Sequence, residues 1–349
     1  MIGEIPHTRK KVRVRMSKVL SISVAAYNAA KDIKICLDSM VNSSVADDLE
    51  IIVVNDGSTD NTAEIVHDYE LKYPGIVKLV NKENGGHGST INASIKVATA
   101  KYYKIVDADD WVDADGIVKL VSWLKNNNAD LVLNPYHIVD AQSREQTTIY
   151  PYKEGATIGQ ITPAKDINDI ILYMHSVTFS SEVVKKMGPI IGENCFYVDV
   201  EFVVFPMLYV KDFVCLDFPV YEYLLGTASQ SMNIGNLIKR RDQHLKVTKR
   251  VIEFYEKNKN AVCSNVYQII LNRARLAANN QYRIYFYGAK SVPNSEIRDF
   301  DNWLKQYPDV YVGSKSTFLK FIKINRKNNF KYYPFMAKLL HKLKVKPKI

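Results

Sequence analysis

The 349-residue sequence has no long apolar run. Its longest charge-free apolar stretch, residues 202–210, is about half of the roughly 18 residues that a membrane-spanning helix needs, which excludes an integral helical membrane protein. Cysteine is scarce. Cys36, Cys195, Cys215 and Cys263 stand far apart, with no Cys-x-x-Cys pair and no His cluster at metal-ligand spacing, so neither zinc nor a disulfide framework is expected. A secretory signal is missing too: Arg9, Lys10, Lys11, Arg13 and Arg15 precede a stretch broken by Ser21, Ser23 and Asn28, with no long apolar region and no small-residue cleavage site. The expected location is a reducing cytoplasm. No internal repeat is present, and no acidic residue follows Asp309.

That last absence explains the charge. Residues 310–349 hold ten Lys and one Arg, so the formal net charge of +10 leaves residues 1–309 near neutrality, at −1. Phe318, Phe321, Ile322, Phe330, Tyr332, Tyr333, Phe335, Leu339 and Leu340 are interleaved with those cations. Such a tail suits an anionic membrane surface or nucleic acid, and composition does not choose between them. The rest of the composition, 47% hydrophobic and 24% charged with 15 Gly and 12 Pro, is that of an ordinary globular chain. Its length suits one large α/β domain with an appended segment, or two domains.

From Val19 to about Pro135, short β-branched runs alternate with helical patterns. The runs are VLSISVAA, LEIIVVN, GIVKLV, YYKIVD and ADLVLN. Near-continuous apolar runs predict strands buried on both faces of a parallel sheet, covered by helices over 29–41, 60–71, 89–100 and 113–125. Residues 136–165 read as an irregular excursion, 235–287 as helical, and Pro293 as the opening of a further helix through Trp303.

In an open parallel sheet, ligands bind beyond the carboxyl ends of the strands. Here those ends carry Tyr27-Asn28, Asn55-Asp56-Gly57-Ser58, the glycine-rich run 83–88 and Asp107-Ala108-Asp109-Asp110. Singly, each suits a turn or a helix cap. Asp107 and Asp109, two apart in an extended stretch, would point to one face, and Asp110 adds a third charge whose crowding a cation would relieve. Oxygen-only ligation suits Mg2+ or Mn2+. The same charges would also suit the N-terminus of the following helix.

SISVAAYNAAKDIKICLDSM, EIIVVNDGSTDNTAEIV, NKENGGHGSTINASIKVATAKYYKIVDADDWV and FYVDVEF resemble, in order and spacing over residues 18–225, the successive motifs of family 2 glycosyltransferases. The resemblance implies an α/β, GT-A type fold: a mostly parallel nucleotide-binding sheet with flanking helices, followed here by a helical, basic C-terminal segment. It implies a nucleotide-sugar donor, a divalent metal (Mn2+ or Mg2+) and inversion at the anomeric carbon. Position by position it places Asp56 on the uracil ring, Ala26, Tyr27 and Asn28 along the nucleotide, and Asn84 and Gly85 near the ribose and sugar. Asp107, Ala108 and Asp109 form the Asp-x-Asp motif, with Asp107 and Asp109 as metal ligands. Asp199 is the general base and Glu201 the fallback; as a bare sequence feature Asp199 would equally cap a helix over 200–210. His175 is an acceptor-site candidate, with His87 and the segment 226–233 as looser contacts. Two positions depart from the pattern: Ile91 stands where the family often has Arg, and Val198 where it usually has Glu.

The expected organisation is a basic extension (1–17), a glycosyltransferase domain (18–230, nucleotide part 18–135, acceptor part 136–230), a helical region (231–309) and a basic amphipathic tail (310–349). The expected activity is hexosyl or N-acetylhexosaminyl transfer from a UDP-sugar to a lipid-linked or polymeric glycan, in cell-surface polysaccharide synthesis. The tail would hold the enzyme peripherally on the inner face of the cell membrane. No nucleic-acid motif is present, and nucleic acid is not an expected partner. A sugar-nucleotide nucleotidyltransferase is the nearest rival, but residues 23–32 lack its glycine-rich triphosphate loop. A catalytically silent carbohydrate- or nucleic-acid-binding protein is the rival from another class.

Overall fold

The computed structural model describes residues 18–226, 233–311 and 317–342. The 1–17 extension, most of the 226–233 segment and the last residues of the tail lie outside the described residues. Strands β1 (Leu20–Ala26), β2 (Leu49–Asp56), β3 (Val77–Lys82) and β4 (Tyr102–Asp107) alternate with helices α1 (Ile33–Val41), α2 (Thr62–Lys72) and α3 (His87–Val97), as the sequence pattern predicts. There follow β5 (Trp111–Val112), α4 (Ala114–Asn126), β6 (Leu131–Leu133), β7 (Tyr136–Asp140), β8 (Gln146–Ile149) and β9 (Thr162–Pro163). Then come β10 (Val177–Ser180), α5 (Ser181–Met187), α6 (Asp199–Val204), β11 (Asp212–Cys215) and β12 (Tyr221–Leu225).

The main sheet has eight strands in the order β3-β2-β1-β4-β10-β6-β11-β9. β3, β2, β1 and β4 run parallel, and β10 is antiparallel to both β4 and β6. Side chains alternate across it as period-two geometry requires: Ile51 and Val53 join one buried cluster with α1 and α4, while Ile52 and Val54 join another with α3 and α6. The polar positions of β1 obey the same alternation. Ser23 turns toward α3 and donates to Ser94 Oγ at 2.7 Å.

The expectation of an irregular excursion over 136–165 is corrected. β7 and β8 form an antiparallel hairpin, and a second sheet runs β5-β12-β7-β8. The polar outward residues of β8, exposed through Thr148, conceal that strand from an apolar reading. This second sheet matters because β12 lies against the end of β4.

The helical pattern from 235 onward resolves into α7 (Ile234–Lys239), α8 (Arg241–Asn258), α9 (Ser264–Tyr287), α10 (Asn294–Leu304), α11 (Pro308–Tyr311), α12 (Thr317–Lys327) and α13 (Tyr333–Lys342). One buried cluster runs from Ile52 in the sheet through Ala274 to Ala337. The tail is therefore not wholly a free amphipathic segment: Ile322, Phe330 and Tyr333 are buried in that cluster, and Arg326 donates to Asp301 Oδ1 at 2.7 Å. Ile324, Tyr332 and Phe335 stay exposed. Among the described residues no helix is long and apolar enough to cross a membrane.

Candidate active site

Four loops meet at the carboxyl edge of β1, β2 and β4, and the chain anchors them with backbone hydrogen bonds. Asn28, in the left-handed region at φ 51°, accepts Thr59 N on Oδ1 at 2.8 Å and donates its own N–H to Ser58 Oγ at 3.0 Å. This joins the β1 and β2 loops. Ala26 is buried beneath them, while Tyr27 is 54% exposed above.

Asp56, which the resemblance sets on the uracil ring, is engaged within the protein. Its carboxylate accepts Gly85 N at 2.9 Å and Gly86 N at 2.8 Å, Ser89 Oγ at 3.2 Å and Lys82 Nζ at 2.8 Å. At 3% exposed, it organises the turn before α3. Gly86 has φ 78°, which only glycine adopts without strain, and a Cβ on Gly88 would meet Gly192 O at 1.9 Å. Asn84 is exposed on that turn. Ile91 is buried in the core, and Asn92 instead pins the 191–193 loop by bonds to Ile191 and Glu193.

The Asp-x-Asp segment is not extended. The strand ends at Asp107, and Asp110 N donates back to Asp107 O at 3.1 Å, so the chain turns between the two members of the pair. Asp109 is exposed; Asp110 is buried, its Oδ2 accepting Tyr221 Oη at 2.6 Å and its Oδ1 accepting Leu224 N at 2.8 Å. Tyr221 Oη in turn accepts Asp107 N at 3.1 Å. The potential ligand atoms that come within 4.8 Å of one another belong to Asp107, Asp110 and His175. Asp109 stands outside that group.

This end of the sheet is crowded with like charge. Burial, and then the nearby Asp109 and Asp199 carboxylates acting against His87, push Asp107 up to about 6. Crowding by the surrounding loops raises Asp109 even though its side chain reaches solvent, and burial with the charges of Asp107 and Asp109 raises Asp110. His87 Nε2 lies 3.4 Å from Asp107 Oδ1, too poorly aligned for a hydrogen bond. Burial and the charge of Lys104 push His175 down to about 3, so its ring is neutral. The ring stacks on Tyr223 at 4.3 Å between centroids and meets Tyr136 at 4.9 Å and Tyr221 at 4.8 Å, while its buried Nδ1 has no partner. Carboxylate oxygens, crowded negative charge and an orphaned imidazole nitrogen fit a divalent cation.

Asp199 is half-buried at the first position of α6, behind a cap at Val198 that makes no side-chain hydrogen bond. Asp199 itself therefore does not cap a helix. Tyr197, two residues earlier, has φ 69°, a costly conformation for a bulky residue and of the kind concentrated at functional sites. Glu201, the fallback base, is corrected. It is fully buried, paired with Arg250 Nε at 2.7 Å, and accepts Gly192 N at 2.7 Å. It bolts α6 to α8 and faces no substrate.

Three groups that the sequence reading did not single out also belong to this region. Lys104 is fully buried on β4, donates to His175 O at 2.9 Å and Val177 O at 3.2 Å, and burial pushes it down to about 7. A lysine inside the apolar run YYKIVD was its only signal. Tyr221 and Arg273 carried none, because both reach the site from distant segments.

The family model described as Glycosyl transferase family 2 matches residues 21–183. A poly(ribitol-phosphate) beta-glucosyltransferase of Bacillus spizizenii is 28% identical over 172 residues, covering 47% of this chain and 27% of that protein. An uncharacterized glycosyltransferase, YibD of Escherichia coli, is 44% identical over 93 residues, 27% of this chain and 26% of that one. The chain thus aligns with about a quarter of the length of these relatives. The crystal structure of S. aureus TarS 1–349 in complex with UDP-GlcNAc is similar with a TM-score of 0.63 at 15% identity, covering 93% of this chain and 92% of that one. That likeness shows the fold: a GT-A type α/β architecture.

The raised Asp107 gives a test of the charge crowding. A carboxylate whose pKa is higher folded than unfolded favours the folded state when protonated, so its contribution falls as pH rises from about 4 through about 6. In metal-free protein, Asp107→Asn is expected to raise unfolding stability at pH 7 by about 2–3 kcal/mol, a gain that vanishes near pH 4. Urea melts at the two pH values measure it; an equal effect at both would remove the charge explanation.

Proposed function

With residues 21–183 forming a glycosyltransferase family 2 domain, we propose that the protein is an inverting glycosyltransferase. It would move a hexosyl or N-acetylhexosaminyl unit from a UDP-sugar to a hydroxyl on a lipid-linked or polymeric glycan, in cell-surface polysaccharide synthesis. The observation that carries this reading is the set of potential ligand atoms of Asp107, Asp110 and His175 within 4.8 Å of one another at the end of β4, with Asp199 at the start of α6 near enough for its charge to act on Asp107. The TarS complex with UDP-GlcNAc supports a UDP-sugar donor, and the poly(ribitol-phosphate) glucosyltransferase, named for a polymer, supports a polymeric acceptor.

In this reading Ala26, Tyr27 and Asn28 line the nucleotide, and Asn84 and Gly85 adjoin the ribose and sugar. Asp56 acts indirectly, holding the Gly85-Gly86 turn in shape. Asp107 and Asp109, the pair that the motif assigns, would hold Mn2+ or Mg2+. When bound, the cation neutralises charge developing on the departing diphosphate. Asp199 takes the proton of the acceptor hydroxyl as it attacks from the face opposite the diphosphate, a role worth ~10²–10⁴-fold. One protein carboxylate suffices, because a diphosphate leaves without the protonation that a glycosidase must supply.

Asp199→Asn is expected to lower transfer by at least about 10²-fold while UDP binding, titrated calorimetrically with manganese, stays within about twofold. Equal UDP binding in EDTA would remove the metal from the reading. Transfer at the wild-type rate in Asp199→Asn would remove the base.

We also propose that the tail meets an anionic leaflet, through a smaller surface than the sequence suggests. Ile324, Tyr332 and Phe335 are exposed beside the exposed Lys323, Lys327, Lys331 and Lys338. Each cation near such a surface contributes roughly 1 kcal/mol. Co-sedimentation with anionic vesicles should fall markedly in Lys323→Glu/Lys327→Glu/Lys331→Glu and at high salt. Binding that ignores lipid charge would sink the idea.

A further inference from the structure

Helix α9 packs against α6 and brings a guanidinium to the candidate base. Arg273 lies where the charges of Asp199, Tyr173 and Tyr136 act on it, and burial pushes its pKa down. Its Nε is shielded from solvent and bonds to nothing among the described residues. The contrast with other arginines is direct: Arg250, Arg241 and Arg326 each close on a carboxylate within 2.8 Å, whereas Arg273 forms no ion pair among the described residues. The side chain as a whole is half-buried, and a guanidinium with no ion-pair partner among the described residues is open to an anion arriving from outside.

Asp199 does not account for it. A cation beside a general-base carboxylate adds nothing to its power to take a proton. The surrounding field supplies the reason: Asp107, Asp109, Asp110 and Asp199 would repel an anionic acceptor unless a cation received its charge. Tyr136 and Tyr173, with rings 5.6 Å apart, add phenol groups beside the guanidinium. Next along α9, Asn272 and Gln268 line a groove of about 580 Å³ with Ile171 and the exposed Tyr150. Amide and aromatic groups of this kind suit the hydroxyls and ring faces of a sugar chain.

We propose that Arg273, with Tyr136 and Tyr173, forms an acceptor subsite for an anionic group, a phosphate or a carboxylate, carried by the acceptor glycan close to the reacting hydroxyl. The proposal rests on the glycosyltransferase reading, and its test is separable from that reading. Full-length protein is treated with phenylglyoxal, and modification of Arg273 is followed by peptide mass spectrometry in the presence of inorganic phosphate, glucuronate or glucose. Phosphate or glucuronate should slow modification about tenfold or more at saturation, as a charge-assisted bidentate contact would; glucose should not. Whichever anion protects identifies the acidic group. In Arg273→Gln, inhibition by the protecting anion should be lost while calorimetric UDP binding is kept, and Arg273→Lys should retain part of that inhibition. If Arg273→Gln does not fold, the protection result on wild-type protein decides. Absence of protection by both anions, or equal protection by glucose, overturns the subsite. Failure of UDP to bind wild-type protein would overturn the glycosyltransferase reading and leave the protection result standing.

Discussion

Like-charge crowding at the end of β4 is the constraint that the surrounding structure answers. Asp107, Asp109 and Asp110 follow one another within four residues, and α6 adds Asp199 to the same field. Left unattended, such a cluster would protonate or splay apart. The fold holds it by giving Asp110 two donors, Tyr221 Oη and Leu224 N, both from β12. The second sheet thus has a definite task. It carries β12 to the edge of the first sheet, and Tyr221 bridges the Asp107 backbone and the Asp110 carboxylate. A strongly negative pocket maintained in this way is prepared for a cation.

The N-terminal half of the main sheet was legible in the sequence because its strands are buried on both faces and therefore largely apolar, as in LEIIVVND. Helix boundaries over 33–126 fell within a few residues of the expected ones for the same reason. The hairpin β7–β8 was not legible: a half-exposed strand such as QTTI carries no apolar signature. The site was legible as a set of turns, but not in its internal assignments. Asp56 and Asp110 appear in the sequence as loop carboxylates, equal to their neighbours. Only the folded backbone shows that Gly85, Gly86 and Leu224 donate to them. Motif position marks a residue as belonging to the site; hydrogen-bond partners decide whether it faces a ligand or supports one that does.

Asp199 and Glu201 make the same point two residues apart. On a short helix, that spacing sends the side chains in different directions. Glu201 points into the core, where Arg250 and Gly192 N satisfy it, and breaking that pair would strand a buried charge. Asp199 stays half-buried, within reach of the charge of Asp107 and next to a backbone strained at Tyr197. The Glu201–Arg250 pair ties α6 to α8, so the first helices beyond the two sheets form the wall against which the candidate base is set.

The C-terminal helices consequently do more than extend the chain. Their side chains enter the same buried cluster as β2, so the cleft has a catalytic-sheet side and a helical side. The two sides carry opposite charge: carboxylates gather at the strand ends, while Arg273 on α9 and Arg250 on α8 stand behind α6. Of these two, Arg250 is neutralised by Glu201 and contributes fixed geometry. Among the described residues Arg273 has no such partner, and in the proposed subsite it would place a positive charge beside the acceptor hydroxyl. A substrate spanning the cleft would then be sorted by charge along its length, with cation-bridged phosphates toward β4 and any acidic acceptor group toward α9. That polarity follows from which helix supplies which arginine, and the sheet alone could not produce it.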